Sequence, residues 1–321
     1  MNPAILCVGE AIIDFHSQER CDLKDAATFL KTLGGAPANL AIGLTRLGVH
    51  CGFIGAVGED AFGRFIIQQL QQEGVDTRGV QTKIGRRTRL AFVANDKNGD
   101  PDFAFWEESP ADTCLTRSDI PWELIADARI LHLSSFLLHS PAMSDLALWL
   151  AKHAATYGTL VSFDPNLRIK LWPSRQRARS MLRRMTKHVS IFRGNAKEGQ
   201  FITGARSAEA AVEALVEMGP ELVVLTEGDK GCYYGTGHVK GFVPAFKVKV
   251  VDGTGCGDGF TAALLAEIVR RGKELPQLLQ EDLAGMCEKA NAVGALVATK
   301  AGAAAAMPTA RAVDRFLTLE G

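Results

Sequence analysis

Apolar residues fall along this chain in short runs bounded by glycine or polar turns, and these runs alternate with longer stretches of helical spacing. Residues 4–9 hold Ile5, Leu6 and Val8 and stop at Gly9, the pattern of a strand buried on both faces. The turn Gly34-Gly35-Ala36-Pro37-Ala38-Asn39 leads into Leu40, Ile42, Leu44 and Leu47, with Gly48 as the stop, which predicts a helix. A strand over 51–57 and a helix over 60–73, closed by Gly74, repeat the unit. Further strands are predicted at 129–133, 159–163, 189–192 and 222–226, with helices at 142–157, 174–187 and 208–218. This alternation predicts an α/β fold, a mostly parallel sheet flanked by helices.

Two stretches, 15–33 and 90–106, break the rhythm because they look extended yet carry no crossover helix. The second sets Leu90-Ala91-Phe92-Val93-Ala94 against Phe103-Ala104-Phe105-Trp106 around a turn at 97–100. They predict a small β lid on one domain spanning 1–321, and their aromatic content suits a cover for a ligand or a contact between two copies. In the last third, hairpin-like strands around Tyr233 and Val239 precede a β-rich segment over 246–251. Long helices over 256–270 and 281–299 follow.

Composition narrows the function classes. A chain of 321 residues that is 47% hydrophobic and 22% charged can bury a sizeable core. Its 36 Lys and Arg balance 36 Asp and Glu, so no net field draws it to nucleic acid or to an anionic membrane. The helix-spaced Arg175, Arg179, Arg183 and Lys187 are therefore expected to form a solvated basic stripe. Seven cysteines include no C-x-x-C pair, and neither a leader nor a membrane span is evident, so a cytoplasmic protein is expected. His132 and His139 stand seven apart without H-E-x-x-H, which argues against catalytic zinc.

The strongest chemical signal is Asp252-Gly253-Thr254-Gly255-Cys256-Gly257-Asp258-Gly259-Phe260, placed just before an apolar helix. Glycine-dense turns at a helix N-terminus leave N–H groups free for an anion, and the helix dipole assists. Phe260 stands where the dinucleotide fingerprint has its third glycine, and no G-x-x-x-x-G-K-[ST] occurs. A carboxylate at such an anion site, Asp258, makes sense as a base facing the group that receives a phosphoryl. Earlier in the chain, Gly34-Gly35 allows close approach to a ligand, and Asn39 can both donate and accept, which suits a polyhydroxylated molecule. Cys256, inside the turn, is a candidate for a lowered thiol pKa, set against plain small-residue packing.

Together these motifs resemble the pfkB-type carbohydrate kinases of the ribokinase-like superfamily, over nearly the whole chain. The usual D-T-x-G-A-G-D-x-F stands as Asp252 to Phe260, with Gly253 for Thr and Cys256 for Ala, and G-G-x-x-x-N stands as Gly34 to Asn39. Asn195-Ala196-Lys197-Glu198 is similar to N-x-x-E, and Thr226 to Gly231 to the T-x-G-x-x-G nucleotide loop. The resemblance implies ATP and Mg²⁺, with Asp258 as catalytic base and the N–H groups of Gly255, Cys256 and Gly257 as the anion hole; at a helix N-terminus Asp258 is expected to stay ionised at neutral pH. It implies Asp14, Gly34, Gly35, Asn39 and Arg168 for the sugar. Asn195, Glu198, Thr226, Gly228, Gly231 and Asn291 would serve the nucleotide, with Glu198 reaching Mg²⁺ through water. Asp252, Thr254 and Gly302 would hold a monovalent cation such as K⁺, and the β lid would join two copies.

For the acceptor, Asp164 stands where phosphosugar kinases usually have Lys, and Gly34 to Asn39 is similar to the fructokinase and 2-keto-3-deoxygluconate kinase branch. Glu107 and Glu108 stand where relatives often place Arg, which disfavours a sugar acid. D-Fructose phosphorylated on O6 is the expected reaction. The alternatives are 2-keto-3-deoxygluconate kinase, ribokinase, or a non-catalytic sugar- or nucleotide-binding regulator.

Overall fold

The computed structural model describes residues 2–95, 101–106 and 108–320. The turn expected at 97–100, and Glu107, lie outside them. The strands are β1 (Ile5–Val8), β2 (Ile12–Arg20), β3 (Phe29–Gly34), β4 (Cys51–Gly58), β5 (Asp76–Lys83), β6 (Leu90–Asn95) and β7 (Pro101–Trp106). They continue with β8 (Ile130–Ser134), β9 (Leu160–Asp164), β10 (Ile191–Asn195), β11 (Leu222–Thr226), β12 (Gly231–Gly235) and β13 (Lys240–Pro244). One nine-stranded sheet has the order β13-β12-β11-β10-β9-β8-β1-β4-β5. It is parallel from β5 to β11, while β12 and β13 add as antiparallel edge strands.

Helices cover both faces: α1 (Ala36–Arg46), α2 (Ala61–Gln72), α3 (Trp122–Asp127), α4 (Pro141–Thr156), α5 (Arg175–Thr186), α6 (Ala196–Thr203), α7 (Ala208–Glu217), α8 (Cys256–Arg271), α9 (Gln280–Ala298) and α10 (Ala310–Glu320). Alternation along β1 divides the core between the two layers. Ile5 and Cys7 face the side filled by α1, α8 and α9, and Leu6 and Val8 face the side filled by α4, α5 and α7.

The second, four-stranded sheet has the order β3-β2-β6-β7 and is built from the two stretches that lack crossover helices. Its strands β2 and β6 run parallel, and β3 and β7 pair antiparallel outside them. Phe15 and Phe92 stack at 5.1 Å between ring centres, and Phe62 of α2 meets Phe15 edge-on, which fastens this sheet to the main body.

Local features add to or change the sequence reading. The 246–251 segment forms no strand: its Val251 N–H donates to the Ala298 carbonyl at the end of α9 instead of to a strand, and Val250 and Val251 are exposed. Strand β5 is nearly devoid of large apolar side chains and owes its existence to pairing along β4, a contact no local pattern reveals. The basic stripe on α5 is exposed, as expected, and it also makes contacts: Arg179 Nε and Arg183 Nη1 both donate to the Ile202 carbonyl at the end of α6, and Arg175 lies over Phe201. There they neutralise the negative end of a neighbouring helix.

Candidate active site

The expected site residues gather at the carboxyl ends of the parallel strands, on the edge where ligands bind in open α/β sheets. Asp164, Asn195 and Thr226 are the last residues of the neighbouring strands β9, β10 and β11. Helix α8 begins beside them. Gly255 caps it with φ +79°, and a Cβ there would lie 2.7 Å from Ala303, so the turn accepts only glycine. As first-turn residues, Cys256, Gly257 and Asp258 have no helical carbonyl behind them. The Cys256 N–H instead makes a long 3.3 Å bond to the Gly253 carbonyl.

Asp258 projects from this turn and accepts a 2.9 Å hydrogen bond from Asn39 Nδ2, which joins the two glycine motifs across the fold. It is half-buried in a dense polar setting. Burial pushes its pKa up to about 7; the Asn39 bond opposes this, Asp164 adds to it, and the Arg193 and Arg168 guanidinium groups again oppose it. The expectation of a fully ionised carboxylate is therefore corrected: desolvation outweighs the helix dipole. The Cys256 thiol is likewise pushed up, to about 11, by burial and then by Asp252 and Asp258, so the activated thiol considered from sequence is absent.

On the acceptor side, Gly34 closes β3 and Gly35 caps α1 at φ +100°. A Cβ on Gly34 would fall 2.0 Å from Asp14 Oδ2, and one on Gly35 would fall 2.5 Å from the Glu10 carbonyl oxygen. Both glycines are bare so that two acidic residues can crowd the turn. Burial raises Asp14 to about 6, with His16 opposing, and among the described residues no group donates to its carboxylate. Glu10 is the residue that sequence reasoning missed. It accepts from the Ala36 N–H at 3.3 Å and from Ser134 Oγ at 3.4 Å, and burial, then the charges of Asp112 and Asp258, lift it to about 8. Its position directly after the first strand, at the binding edge of the sheet, was the available signal. Beside them Asn39 Oδ1 is buried without a partner among the described residues.

Across the cleft, the buried Arg193 donates to Asp164 Oδ2 at 2.6 Å and to Thr226 Oγ1 at 3.3 Å, and it packs over Phe260. Its Nη1 would sit 3.0 Å from a Cβ on Gly257, so the guanidinium lies against the glycine turn. Arg193 was not picked out from sequence either, because it falls between the apolar run 189–192 and the motif that starts at Asn195. Asp164, weighed for its bearing on the acceptor, is consumed internally by this pair and by the Asn166 N–H. Arg168 is exposed on the following turn.

Asn195 and Glu198 form a reciprocal cap on α6, with Asn195 Oδ1 accepting from the Glu198 N–H at 2.9 Å and Glu198 Oε2 from the Asn195 N–H at 2.8 Å. Glu198 Oε1 also takes the Leu167 N–H at 2.6 Å; burial and then Asp164 raise this carboxylate, against those N–H groups and Arg193. Gly228 at φ +60° and Gly231 at φ +132° shape the turn between β11 and β12, and a Cβ on Gly231 would meet the Val243 carbonyl at 2.1 Å. Asn291 spends its amide donors on the Val243 and Pro244 carbonyls at 3.2 and 3.0 Å, holding α9 to the end of β13.

Asp252, Thr254 and Gly302 do come together. Asp252 Oδ1 accepts from the Thr254 N–H and hydroxyl at 2.9 and 2.7 Å, and Oδ2 from the Gly302 N–H at 2.9 Å. Burial alone would raise Asp252, yet these bonds more than offset it and hold it below the ordinary carboxylate range. Among the described residues no three His, Cys, Asp or Glu side chains converge on a metal position. His132 is buried against Ser162 Oγ at 3.0 Å.

A family model for pfkB family carbohydrate kinases matches residues 2–310. Fructokinase-1 of Oryza sativa subsp. japonica is 39% identical over 307 residues, covering 95% of this chain and 94% of that protein. Fructokinase-1 of Zea mays is also 39% identical, with the same coverage of both chains. Among solved structures, fructokinase with bound ATP from Xylella fastidiosa superposes with a TM-score of 0.90 at 30% identity, covering 98% of each chain. Fructokinase from Vibrio cholerae O395 with fructose, ADP and calcium ion gives 0.84 at 31% identity and the same coverage. With its two glycine motifs meeting at the Asn39–Asp258 bond inside a ribokinase-like fold, the chain belongs to the pfkB family of carbohydrate kinases.

Proposed function

We propose that this chain transfers the γ-phosphoryl group of ATP to O6 of D-fructose, yielding fructose 6-phosphate and ADP. The observation that carries this reading is Asp258, raised to about 7 at the mouth of a glycine-capped helix and held by Asn39. The acceptor hydroxyl bonds to phosphorus as the bond from phosphorus to the β–γ bridging oxygen breaks. Its proton goes to Asp258, and the leaving charge stays on ADP. The first-turn N–H groups of α8 and the Arg193 guanidinium against Gly257 favour the charge spread over the transferring phosphoryl. Because a carboxylate is far less basic than an alkoxide, proton transfer accompanies or follows phosphoryl transfer, and positioning supplies most of the rate.

Fructose as acceptor rests on the plant and bacterial relatives named fructokinase and on local chemistry. Asp14, Asn39 Oδ1 and Glu10 are short of donors, which hydroxyl groups provide. Arg193 is paired with Asp164, and Arg168, exposed on the turn after β9 and felt by Asp258, would meet the sugar. Asp164, Glu198 and Asp258 outweigh Arg193 in charge, so the donor set fits a hydrated divalent ion bound mainly through phosphate and water. When bound, Mg²⁺ spreads the charge of the triphosphate. The Thr226 to Gly231 turn would hold the nucleotide, and Asn291 would act by fixing the β13 wall. Asp252 ties the 252–254 and 302 turns together, a setting that fits a monovalent cation such as K⁺.

The four-stranded sheet would close over the acceptor, and its exposed Leu30, Phe105 and Trp106 suit the contact between two copies expected from sequence. All seven cysteines are free thiols, consistent with a reducing cytoplasm. Steady-state ATP turnover with D-fructose, 2-keto-3-deoxygluconate and D-ribose, with the product's phosphate position read by NMR, tests the assignment. The expected order puts fructose first in kcat/KM, and a higher value for either other sugar overturns it.

A further inference from the structure

Helix α1 touches the first turn of α8 directly through Asn39, which donates to Asp258 at 2.9 Å. Its last residue, Arg46, reaches the same turn by another path. Arg46 Nη1 lies within hydrogen-bond distance of three carbonyls in the turn that follows α9, those of Ala304, Ala305 and Met307, at 3.0, 3.2 and 2.9 Å. The other edge of the guanidinium is fixed by Glu73, which caps the end of α2 and takes Nε at 2.8 Å and Nη2 at 2.6 Å. A cation in the last turn of a helix ordinarily complements that helix's own carbonyls. Arg46 spends its donors on two other segments instead.

The turn it holds backs the glycine motif of α8. Ala303 is the residue that a Cβ on Gly255 would strike, and the Gly302 N–H donates to Asp252 at 2.9 Å. Ala306 and Met307 join Val297 of α9 in a small apolar cluster apart from the two large cores, and Cys256 packs against it. Met307 is wedged where α1 and α8 come close: a Cβ on Gly43 of α1 would lie 3.2 Å from its sulfur, and one on Gly259 of α8 would lie 3.4 Å away. Among the described residues, Arg46 is the only side chain that donates to the 304, 305 and 307 carbonyls. Its pair with Glu73 is partly open to solvent, where ion pairs add little stability. The two-pronged geometry instead fixes the plane of the guanidinium, which a lysine cannot reproduce.

We propose that Arg46 is a positioning residue for the phosphoryl transfer. Through the 302–307 turn it sets where the N–H groups of Cys256 and Gly257 and the carboxyl of Asp258 stand, so α1 holds the α8 turn at two points. This rests on the transfer site proposed above. Arg46 sits at the opposite end of α1 from Gly35, so losing it misplaces the groups that act on the transferring phosphoryl and leaves the acceptor turn at Gly34 and Gly35 in place. The loss therefore falls on kcat and spares KM for the sugar.

Steady-state kinetics with ATP and D-fructose compare Arg46→Met, Arg46→Lys and Glu73→Gln. Arg46→Met should lower kcat by about thirtyfold with KM for fructose within about twofold of wild type, because small displacements of reacting groups are costly even from a remote substitution. Arg46→Lys can serve the carbonyls or Glu73 but not both, and should recover part of the loss, to about fivefold below wild type. Glu73→Gln leaves the three carbonyl bonds and should stay within about threefold. Amide hydrogen exchange on the nucleotide-free protein adds a readout without turnover: residues 252–260 should exchange about fivefold faster in Arg46→Met, and β10 and β11 should not change. Unfolding midpoints above the assay temperature establish that the variants are folded; if Arg46→Met is not, Arg46→Lys decides, and full activity in it overturns the proposal. So does Arg46→Met with kcat within threefold of wild type, a rise in fructose KM that matches the fall in kcat, or a loss in Glu73→Gln as large as in Arg46→Met. A wild-type protein that phosphorylates no sugar would sink the kinase reading, while faster exchange over 252–260 would still uphold the coupling of Arg46 to the α8 turn. An active kinase with unchanged exchange and unchanged kcat in Arg46→Met would sink Arg46 alone.

Discussion

On the wall built from the ends of β9, β10 and β11, the buried Asp164 meets Arg193 at 2.6 Å, and both oxygens of Glu198 accept backbone N–H groups. Across the cleft, Asp14 receives no donor among the described residues, and the bonds to Glu10 are 3.3 and 3.4 Å long. The first wall carries its own compensation and is assembled before any ligand arrives. The second holds Asp14 and Glu10 with pKa values lifted to about 6 and 8, carboxyl groups that sugar hydroxyls would serve. On the proposed reading, the internally paired wall would align the donor's triphosphate, and the under-donated wall would select the acceptor, because only a ligand with matching hydroxyls completes it.

The sharpest break falls at the base between the walls. Asp258→Asn keeps the shape and the Asn39 contact while removing the proton acceptor, so kcat should fall about a thousandfold, with KM for ATP within twofold of wild type. Steady-state kinetics on the variant decide it, and near-normal turnover would remove Asp258 from the chemistry.

If the first wall is preassembled, cutting its central pair should cost stability before it costs anything else. Arg193→Leu leaves Asp164 buried without its cation, and a loss of about 3–5 kcal/mol is expected by chemical denaturation. The double change Arg193→Leu with Asp164→Leu should recover much of that loss. A single variant as stable as wild type would show the pairing to be unimportant for the wall.

On the second wall, Gly34→Ala should act on the acceptor alone. Its Cβ would displace the Asp14 carboxylate, which it would meet at 2.0 Å. The expected outcome is a drop of about a hundredfold in kcat/KM for sugar, with nucleotide affinity retained. Equal losses for sugar and ATP would contradict the division between the walls.

The smallest effects concern pH. The base form of Asp258 is ionised, so kcat/KM should rise with pH through about 7, and below that value it should fall by up to about tenfold per unit. Stability runs the other way. A carboxyl raised in the folded state, such as Glu10 at about 8, contributes stability that is fully present below its unfolded value and lost as pH rises through 8. Glu10→Gln should therefore gain in melting temperature relative to wild type as pH increases from 6 to 9. A difference that stays constant across that range would mean that Glu10 is not raised.

Much of this was legible beforehand because it is local. Short apolar runs ending at glycine fixed the alternation, and Gly255, Gly34 and Gly35 announced turns that side chains would obstruct, as their contacts with Ala303, Asp14 and Glu10 now explain. The Asn195 and Glu198 cap is also a local pattern, three residues apart on one helix turn. What the chain could not declare were quantities that depend on surroundings. Asp258 was expected to stay ionised at a helix N-terminus, and a lowered thiol was one candidate reading of Cys256, both local properties; both groups are pushed upward by burial, which only packing sets. Arg193 sits on an ordinary strand, and its importance arises from Asp164 on the neighbouring strand and Gly257 on a distant helix. Glu10 needed the crossing of β1, β8 and α1 to acquire its neighbours. The sequence by itself determined which residues bend the backbone and which can carry charge; tertiary structure decided which charges are compensated, since desolvation and pairing belong to residues far apart in the chain.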